Sequence, residues 1–271
     1  MLVDTLIDPL AAAAATAIGR ELGWAGFALI IATTRGATAE ALARVREMLG
    51  RGVEALIAWN IGSAPELVQC VAAYAVPWLA LDERGLGEGP VAAISGRQIG
   101  ATLACRYLLS LGNARFGVVA VPGAGVREAI REALEGTAAT LLDAEPVTHG
   151  GDLDGAQAAV GGLLDRADAA TAILCGNDLL AMAALRECRA RTLSVPQDVS
   201  VVGFGDSPLA RCVTPPLTSV RVSADEIAIR ATESLLLMLS GGAPCPVEPS
   251  LKLVIRESTG AALRARPSGA A

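Results

Sequence analysis

Hydrophobic positions along the chain alternate between two spacings. Short aliphatic and β-branched runs are followed by longer segments in which apolar residues recur at helical spacing. The predicted strands are Phe27–Ala32, Ala55–Trp59, Trp78–Asp82, Val91–Ser95, Phe116–Val121, Ala170–Cys175 and Val199–Phe204. The predicted helices between them are Thr38–Leu49, Ala64–Ala75, Arg97–Leu111, Val126–Glu135, Asp154–Ala167 and Asp178–Ala190. Strands that are apolar on both faces and separated by helices indicate parallel βαβ units in doubly wound sheets.

A charged, glycine-rich segment divides this pattern into two parts. Residues 82–90 read DERGLGEGP, and the alternation of strands and helices restarts after them. A single sheet of seven or more strands is an alternative, but two smaller sheets fit the break better. Further on, Ser223 and Glu226 have the spacing of a capping box, which opens an amphipathic helix that stops at Gly241. A last strand is predicted at Val247–Glu257.

The first predicted strand is unusually short, because only Leu2 and Val3 precede the turn into the first helix. In a doubly wound sheet the first strand usually lies in the middle. Its loss would leave neighbouring strands unpaired, at about 1–3 kcal/mol for each unsatisfied buried group. We therefore expect the natural polypeptide to extend further in the N-terminal direction.

Composition narrows the possible functions. The chain of 271 residues is 52% hydrophobic and 18% charged, yet it has no uncharged apolar run of about 18 residues, so no membrane span is expected. Asp4 and Asp8 precede the apolar segment 10–18, where a signal peptide needs positive charge, so we expect a cytoplasmic protein. A net charge of −6 without a Lys/Arg cluster argues against nucleic-acid binding by this chain alone.

Metal and cofactor chemistry find little support in the sequence. His149 is the single histidine, which makes histidine triads and histidine-rich metal sites unexpected. The six cysteines form no CxxC motif, and most lie in apolar periodic segments where buried free thiols are expected. We expect no cofactor.

Five segments, in order, resemble one protein family. They are LGRGVEALIAWN (49–60), GRQIGATLACRYLLSLGNARFGVVA (96–120), AILCGNDLLAMAALRE (172–187), VPQDVSVVGFGDSPLARCVTPPLTSVR (195–221) and LKLVIRESTG (251–260). Together they resemble the effector-binding domain of lactose-repressor (LacI/GalR) type transcription regulators, over essentially residues 1–260.

The resemblance implies a periplasmic-binding-protein-like α/β fold: two doubly wound parallel-sheet lobes joined by three crossing segments, with a small-molecule effector between them. The N-terminal lobe would comprise 1–93 plus 222–242 and the C-terminal lobe 94–221 plus 243–262, with 263–271 a disordered tail. It also implies a homodimer with no membrane partner. Operator DNA would be bound only through an N-terminal headpiece that this chain does not contain, so the chain would sense an effector without binding DNA.

Polar residues at the ends of predicted strands are candidate ligand groups. Ligands of open α/β sheets bind beyond the carboxyl ends of the strands, and carboxylates, amides and guanidinium groups suit a polyhydroxylated molecule. The candidates, chosen with the resemblance, are Asp8, Arg35, Trp59, Asp82, Arg127, Asn177 and Asp206.

Most candidates have a structural alternative. Asp8 could cap the first helix and Trp59 could belong to the core. Arg35, Asp82 and Arg127 could be surface residues with no ligand role. In the pair Asn177-Asp178, we expect the aspartate to cap the following helix and the asparagine to offer its amide to the ligand.

Three positions depart from the family pattern. Gly205 stands where many members carry an acid that holds the ligand, Ser95 where many carry aspartate, and Leu153 where an aromatic residue is common. Loss of a paired carboxylate would cost a ligand hydroxyl about 1–3 kcal/mol. The pocket is therefore expected to differ from an ordinary sugar site: it takes a smaller, more apolar or anionic molecule, or it has decayed.

Other functions remain as alternatives. The segment VVAVPGAGVREAI, with Asp143 18 residues after Gly125, hints at the dinucleotide fingerprint of an NAD-dependent dehydrogenase, but Glu128 stands at the third glycine position. A solute-binding component of a transporter shares the fold but needs a signal peptide. A third alternative is an effector-binding domain that acts as a sensor without DNA binding. Without a recognisable catalytic motif, we expect no enzyme.

Overall fold

The computed structural model describes residues 1–34, 37–59, Ile61, 65–81, 96–121 and 125–261. These residues form two compact units, between which the chain passes three times. The first unit contains the described residues of Met1–Gly96 and Val222–Ser250, and the second those of Arg97–Arg221 and Leu251–Ala271. Residues 243–250 thus lie in the first unit, whereas the sequence-based boundaries assigned them to the C-terminal lobe.

The first unit is built on a sheet of four parallel strands in the order β2-β1-β3-β4. Its elements are β1 (Leu2–Val3), α1 (Pro9–Trp24), β2 (Ala32–Thr33), α2 (Thr38–Gly50), β3 (Leu56–Trp59), α3 (Pro65–Ala72), β4 (Trp78–Leu81) and α8 (Ala224–Leu239). The short β1 lies between β2 and β3, with Val3 opposite both Thr33 and Trp59.

Both faces of this sheet are covered. Leu56 and Trp78 pack into a core with Val45 of α2 and Leu67 of α3. The next residues along the strands, such as Leu79, point to the opposite face and are also fully buried. Helices α1 and α8 pack against each other, and α8 also contacts β4. This two-sided burial explains why the strands read as unbroken apolar runs.

The second unit is built on a six-stranded sheet in the order β10-β9-β8-β7-β5-β6, in which the pairs from β6 to β9 are parallel. Its elements are α4 (Gly96–Ser110), β5 (Arg115–Val119), α5 (Val126–Leu134), β6 (Thr140–Leu141), α6 (Leu153–Leu164), β7 (Ala172–Cys175), α7 (Asp178–Ala190), β8 (Ser200–Gly205), β9 (Thr218–Val222) and β10 (Leu251–Val254). Parallel strands alternating with helices confirm the predicted α/β class.

Small residues allow helices to lie close to this sheet. A Cβ atom on Gly117 of β5 would collide with Leu163 of α6. A Cβ atom on Gly100 of α4 would lie 2.7 Å from Phe204 Cε2 and 2.9 Å from Val220 Cγ1. These glycines are therefore required by packing on the two faces of the sheet.

Several strand predictions differ from the structure. The predicted strand Phe27–Ala32 overlaps the observed β2 only at Ala32, and β2 is short because β1 offers it only two residues as partners. The predicted strand Val247–Glu257 is reduced to β10. The two-residue strand β6 was not predicted. The strand β9 was not predicted either, because its polar residues Thr218 and Ser219 interrupt the apolar pattern although both are fully buried. The predicted strand Val91–Ser95 and the tail 263–271 lie outside the described residues.

The predicted capping box at the start of α8 forms only in part. Ser223 Oγ accepts a hydrogen bond from Glu226 N at 3.2 Å. The Glu226 carboxylate does not return to Ser223 as predicted, and instead accepts a hydrogen bond from Ser250 N at 2.7 Å. That bond lowers the pKa of Glu226 and attaches the segment before β10 to the first unit.

The cysteines divide between core and surface. Cys105, Cys175 and Cys188 are buried, Cys70 is half-buried, and Cys212 and Cys245 are exposed, so the expectation that most would be buried was only partly right. None of the helices in the described ranges is long and apolar enough to cross a membrane.

Candidate functional site

The carboxyl ends of the strands in the second unit bring several polar side chains to one edge of the sheet. Asn177 follows β7, Asp206 follows β8, and Arg221 lies near the end of β9. Because neighbouring strands here are parallel, their carboxyl ends share an edge. In open α/β sheets this is the edge where ligands bind.

Asn177, and not Asp178 as predicted, caps helix α7. Its backbone is extended, and its Oδ1 accepts a hydrogen bond from Leu180 N at 2.8 Å. Its Nδ2 donates to Gly150 O at 2.8 Å, and the residue is only 3% exposed. The amide therefore joins the start of α7 to the loop before α6, and each end of it has a partner within the protein.

Asp178 is a buried carboxylate that connects three segments. Its Oδ2 accepts from Ser207 N at 2.5 Å, and its Oδ1 accepts from the Ser219 hydroxyl at 2.6 Å. Burial removes this carboxylate from water and raises its pKa above the usual range, and the charge of Asp206 adds to the effect. Asp178 thus holds the first turn of α7 against β9 and the turn after β8.

The turn at the end of β8 explains why the chain has glycine at position 205. Gly205 has a φ angle of 113°, which residues with a side chain rarely adopt. Asp206 follows in the left-handed region at a φ of 48°, where aspartate is comparatively well tolerated. The acid that the family pattern places at 205 would be strained in this backbone, whereas glycine is not.

Asp206 is bound within the protein by two arginines. Its Oδ2 accepts from Arg221 Nε at 2.7 Å and its Oδ1 accepts from Arg256 Nη2 at 2.5 Å. The Asp206 side chain is 5% exposed, whereas Arg221 is about half exposed. The backbone N–H of Asp206 also donates to Ser219 Oγ at 3.0 Å. Its carboxylate therefore fixes the turn relative to β9 and to the segment after β10.

The loop before α6 belongs to the same edge, although none of the predicted site residues lies in it. Asp152 Oδ2 accepts from both the backbone N–H and the hydroxyl of Thr148, at 2.9 and 2.8 Å. Asp152 Oδ1 accepts from Gly155 N at 2.9 Å and caps α6. These bonds lower the pKa of Asp152 below its usual range. The loop also contains His149, which is adjacent to the Gly150 carbonyl that Asn177 binds.

Arg127 lies in the first turn of α5 and is bound to neighbouring residues of its own unit. Its Nη1 donates to Leu142 O at 3.2 Å, and its Nη2 forms an ion pair with Asp143. Both residues line a cavity of about 270 Å³ beyond the ends of β5 and β6, together with Val121 and Glu145. Asp143, the acid of the dinucleotide-like segment, is thus paired with Arg127.

The strand ends of the first unit carry two described candidates. Asp8 is buried and caps α1, with Oδ1 accepting from Leu10 N at 3.0 Å. Trp59 is the last residue of β3 and is 3% exposed. Arg35 and Asp82, as well as Ser95 with its departure from the family pattern, lie outside the described residues. Leu153, the remaining departure, is partly exposed at the start of α6.

The described residues give no sign of a metal centre. Within the described ranges, His, Cys, Asp and Glu form no cluster of three or more that could hold a metal ion. Parallel sheets whose strand ends carry hydrogen-bonding side chains are typical of α/β domains that bind small organic molecules.

Comparisons with known proteins agree with this class. Residues 105–259, more than half of the chain, match the family model of the periplasmic binding protein-like domain. The HTH-type transcriptional regulator MalR of Streptomyces coelicolor is 31% identical, over 97% of this chain and 80% of that protein. The solved structure of the transcriptional regulator CelR–cellobiose complex has a TM-score of 0.80 and 27% identity, over 95% of this chain and 83% of that one.

A further solved structure, of a LacI family transcriptional regulator from Mycobacterium smegmatis, has a TM-score of 0.81 over 97% of this chain and 99% of that one. Its identity of 21% shows the fold alone. The chain belongs to the LacI-type family of transcriptional regulators and carries the periplasmic-binding-protein-like domain of that family. The predicted fold and family are confirmed, and the transporter and dehydrogenase alternatives are not favoured.

Proposed function

We propose that this chain is the effector-sensing and dimerisation core of a LacI-type regulator, and that its effector is a sugar or a related polyhydroxylated metabolite. The observation that carries the proposal is the similarity over almost the whole chain to a regulator whose solved structure holds cellobiose. The polar carboxyl edge of the second sheet supports it, because guanidinium and imidazole groups can bind hydroxyl groups.

The effector site proposed here is the set of candidate residues that the family resemblance indicates. Its residues are Asp8, Arg35, Trp59, Asp82, Arg127, Asn177 and Asp206. The hydrogen bonds of Asn177 and the ion pairs of Asp206 favour positioning roles for these two residues. Arg221, which is held by Asp206 and about half exposed, is an additional cation at the same edge.

The proposed mode of action follows from the family. The protein works in the cytoplasm as a homodimer, and it catalyses no reaction. Effector binding changes the balance between two states of the dimer, and operator DNA is bound through an N-terminal headpiece. Such regulation requires that the effector has different affinities for the two states.

The test is a thermal-shift and calorimetric screen of the purified chain with cellobiose, maltose, glucose, ribose and glucose 6-phosphate. A sugar at 100 times its Kd is expected to add about 2.7 kcal/mol to the free energy of unfolding, because it binds only the folded state. Replacing Asp82 by alanine should weaken this binding, whereas Asp168→Ala, which removes an exposed carboxylate, should not. A well-folded chain that none of these sugars stabilises would contradict the proposal.

A further inference from the structure

We propose that His149 is an effector-binding residue and that its Nε2–H donates a hydrogen bond to an oxygen of the bound sugar. The inference rests on the proposed function, and it assigns a new donor at the carboxyl edge of the second sheet. It is carried by the position of the loop that contains His149, by the way that loop is held, and by the tautomer of the ring.

The position of the loop follows from Asn177. This residue stands directly after β7 and caps α7, so its side chain is fixed at the edge of the sheet. Its Nδ2 donates to Gly150 O at 2.8 Å. His149 is therefore one residue away from an atom in direct contact with the ligand-binding edge.

The loop is held by hydrogen bonds within the protein. Asp152 N donates to His149 O at 3.0 Å, and the Asp152 carboxylate accepts from Thr148 and Gly155. Gly150 O is bound by Asn177, as described above. These bonds fix the backbone on both sides of His149, so its side chain is presented from a preorganised turn, which lowers the entropic cost of ligand binding.

The ring nitrogens of His149 have different roles. Gly151 N donates to Nδ1 at 3.1 Å, so this nitrogen is an acceptor and carries no proton. In a neutral imidazole the proton then lies on Nε2, on the other side of the ring. The side chain is half-buried and thus retains access to solvent. A neutral N–H donor of this kind suits a sugar hydroxyl oxygen.

Two substitutions separate a ligand contact from a purely structural role. In His149→Asn, the side-chain Oδ1 lies as many bonds from Cα as Nδ1, so it can still accept from Gly151 N, but the outer donor is lost. In His149→Gln, the amide nitrogen takes the bond position of Nε2, while the acceptor for Gly151 is lost. The measurement is the Kd of the tightest-binding sugar among cellobiose, maltose, glucose, ribose and glucose 6-phosphate, with the Tm of the ligand-free protein as a check on folding.

We expect His149→Asn to weaken binding by about three- to tenfold at unchanged Tm, since one neutral hydrogen bond to the ligand is lost. His149→Gln should bind more tightly than His149→Asn. In the wild-type chain, the NMR resonance of Nε2 should shift when that sugar is added to saturation, and this measurement needs no variant.

Unchanged affinity in His149→Asn, or an Nε2 resonance that does not respond to saturating sugar, would overturn the assignment of His149 alone. Tight binding by His149→Asn together with weak binding by His149→Gln would show that the ring only holds the turn. If the folded wild-type chain binds none of the five sugars, the proposed function and the role of His149 fail together. The experiment therefore distinguishes a wrong assignment of His149 from a wrong proposal that the chain binds a sugar.

Discussion

At the end of β8, the backbone conformation restricts which residues can stand at the binding edge without strain. Gly205 and Asp206 both have positive φ angles, of 113° and 48°. Two of the bonds that hold this turn come from Arg221 and Arg256, which lie in other strands or beyond them. Glycine at 205 therefore fits the conformation of this turn, and it is not by itself a sign that the site has decayed.

Gly205→Ala tests this explanation. Because alanine is strained at a φ of 113°, we expect the substitution to lower the free energy of unfolding by about 1–3 kcal/mol. Gly162→Ala is the matched control in the same unit, since this helical glycine has open space around its Cβ position. The control should raise stability by up to about 1 kcal/mol. Urea unfolding measures both, and equal stability of Gly205→Ala and wild type would contradict the strain.

Asp178 makes stability depend on pH in a defined direction. Its pKa is raised in the folded state, mainly by burial, so the folded chain holds this proton more tightly than the unfolded chain. Its contribution to stability is present below the ordinary pKa of aspartate, near 3.8, and is lost as the pH rises through the folded value. The free energy of unfolding of wild type minus that of Asp178→Asn should therefore fall as the pH rises above about 4.

Asp152→Asn is a control for which the difference in free energy of unfolding should change with pH in the opposite direction. The pKa of Asp152 is lowered by its hydrogen bonds, so its contribution is present above the ordinary pKa and is lost as the pH falls. Chemical denaturation across the acidic range measures both variants. If the two difference curves have the same slope, the raised pKa of Asp178 is refuted.

At the scale of elements, α7 can lie at the edge of the sheet only because β8 contains Gly203. A Cβ atom at this position would collide with Asp178 Oδ1 and lie 2.8 Å from Leu217 Cδ2. The glycine thus gives the buried carboxylate its space, and this space in turn allows Asp178 to bind Ser207 and Ser219. One small residue in a central strand therefore supports the geometry of three segments.

We expect Gly203→Ala to destabilise the protein by about 1–3 kcal/mol, because the added methyl group forces Asp178 or Leu217 to move. The expectation differs from that for Gly205→Ala, since the cause here is packing and not backbone strain. In the double variant Gly203→Ala with Asp178→Ser, the smaller side chain should recover part of the loss. Thermal unfolding checks this, and a Gly203→Ala variant with wild-type Tm would disprove the packing argument.

At the scale of the whole molecule, the proposed regulatory role requires association of two chains. We expect sedimentation equilibrium to give about twice the chain mass of 27.5 kDa at micromolar concentrations. A dimer with twofold symmetry is the commonest arrangement of homo-oligomers, and family membership favours it here. A monomer over the whole concentration range would contradict the proposed dimer. The proposal that the chain binds a sugar effector would not be affected by that result.

The α/β class and the family could be predicted from the amino-acid sequence. Both predictions depend on local information. The spacing of apolar residues predicts buried parallel strands, and each of the five segments that resemble the family is an uninterrupted stretch of sequence. Helix α7 was predicted with its observed bounds, since its periodicity is strong and its start is marked by capping residues.

The roles of individual polar residues could not be predicted from the sequence, because their partners lie far away in the chain. Asn177 binds Gly150 across 27 positions and Asp206 binds Arg256 across 50. Asparagine and aspartate are both good helix caps, so the sequence could not tell which of Asn177 and Asp178 would cap α7. His149 gained a role only when folding brought its loop to the edge of the sheet, since hydrogen bonds between distant segments leave no periodic trace in a sequence.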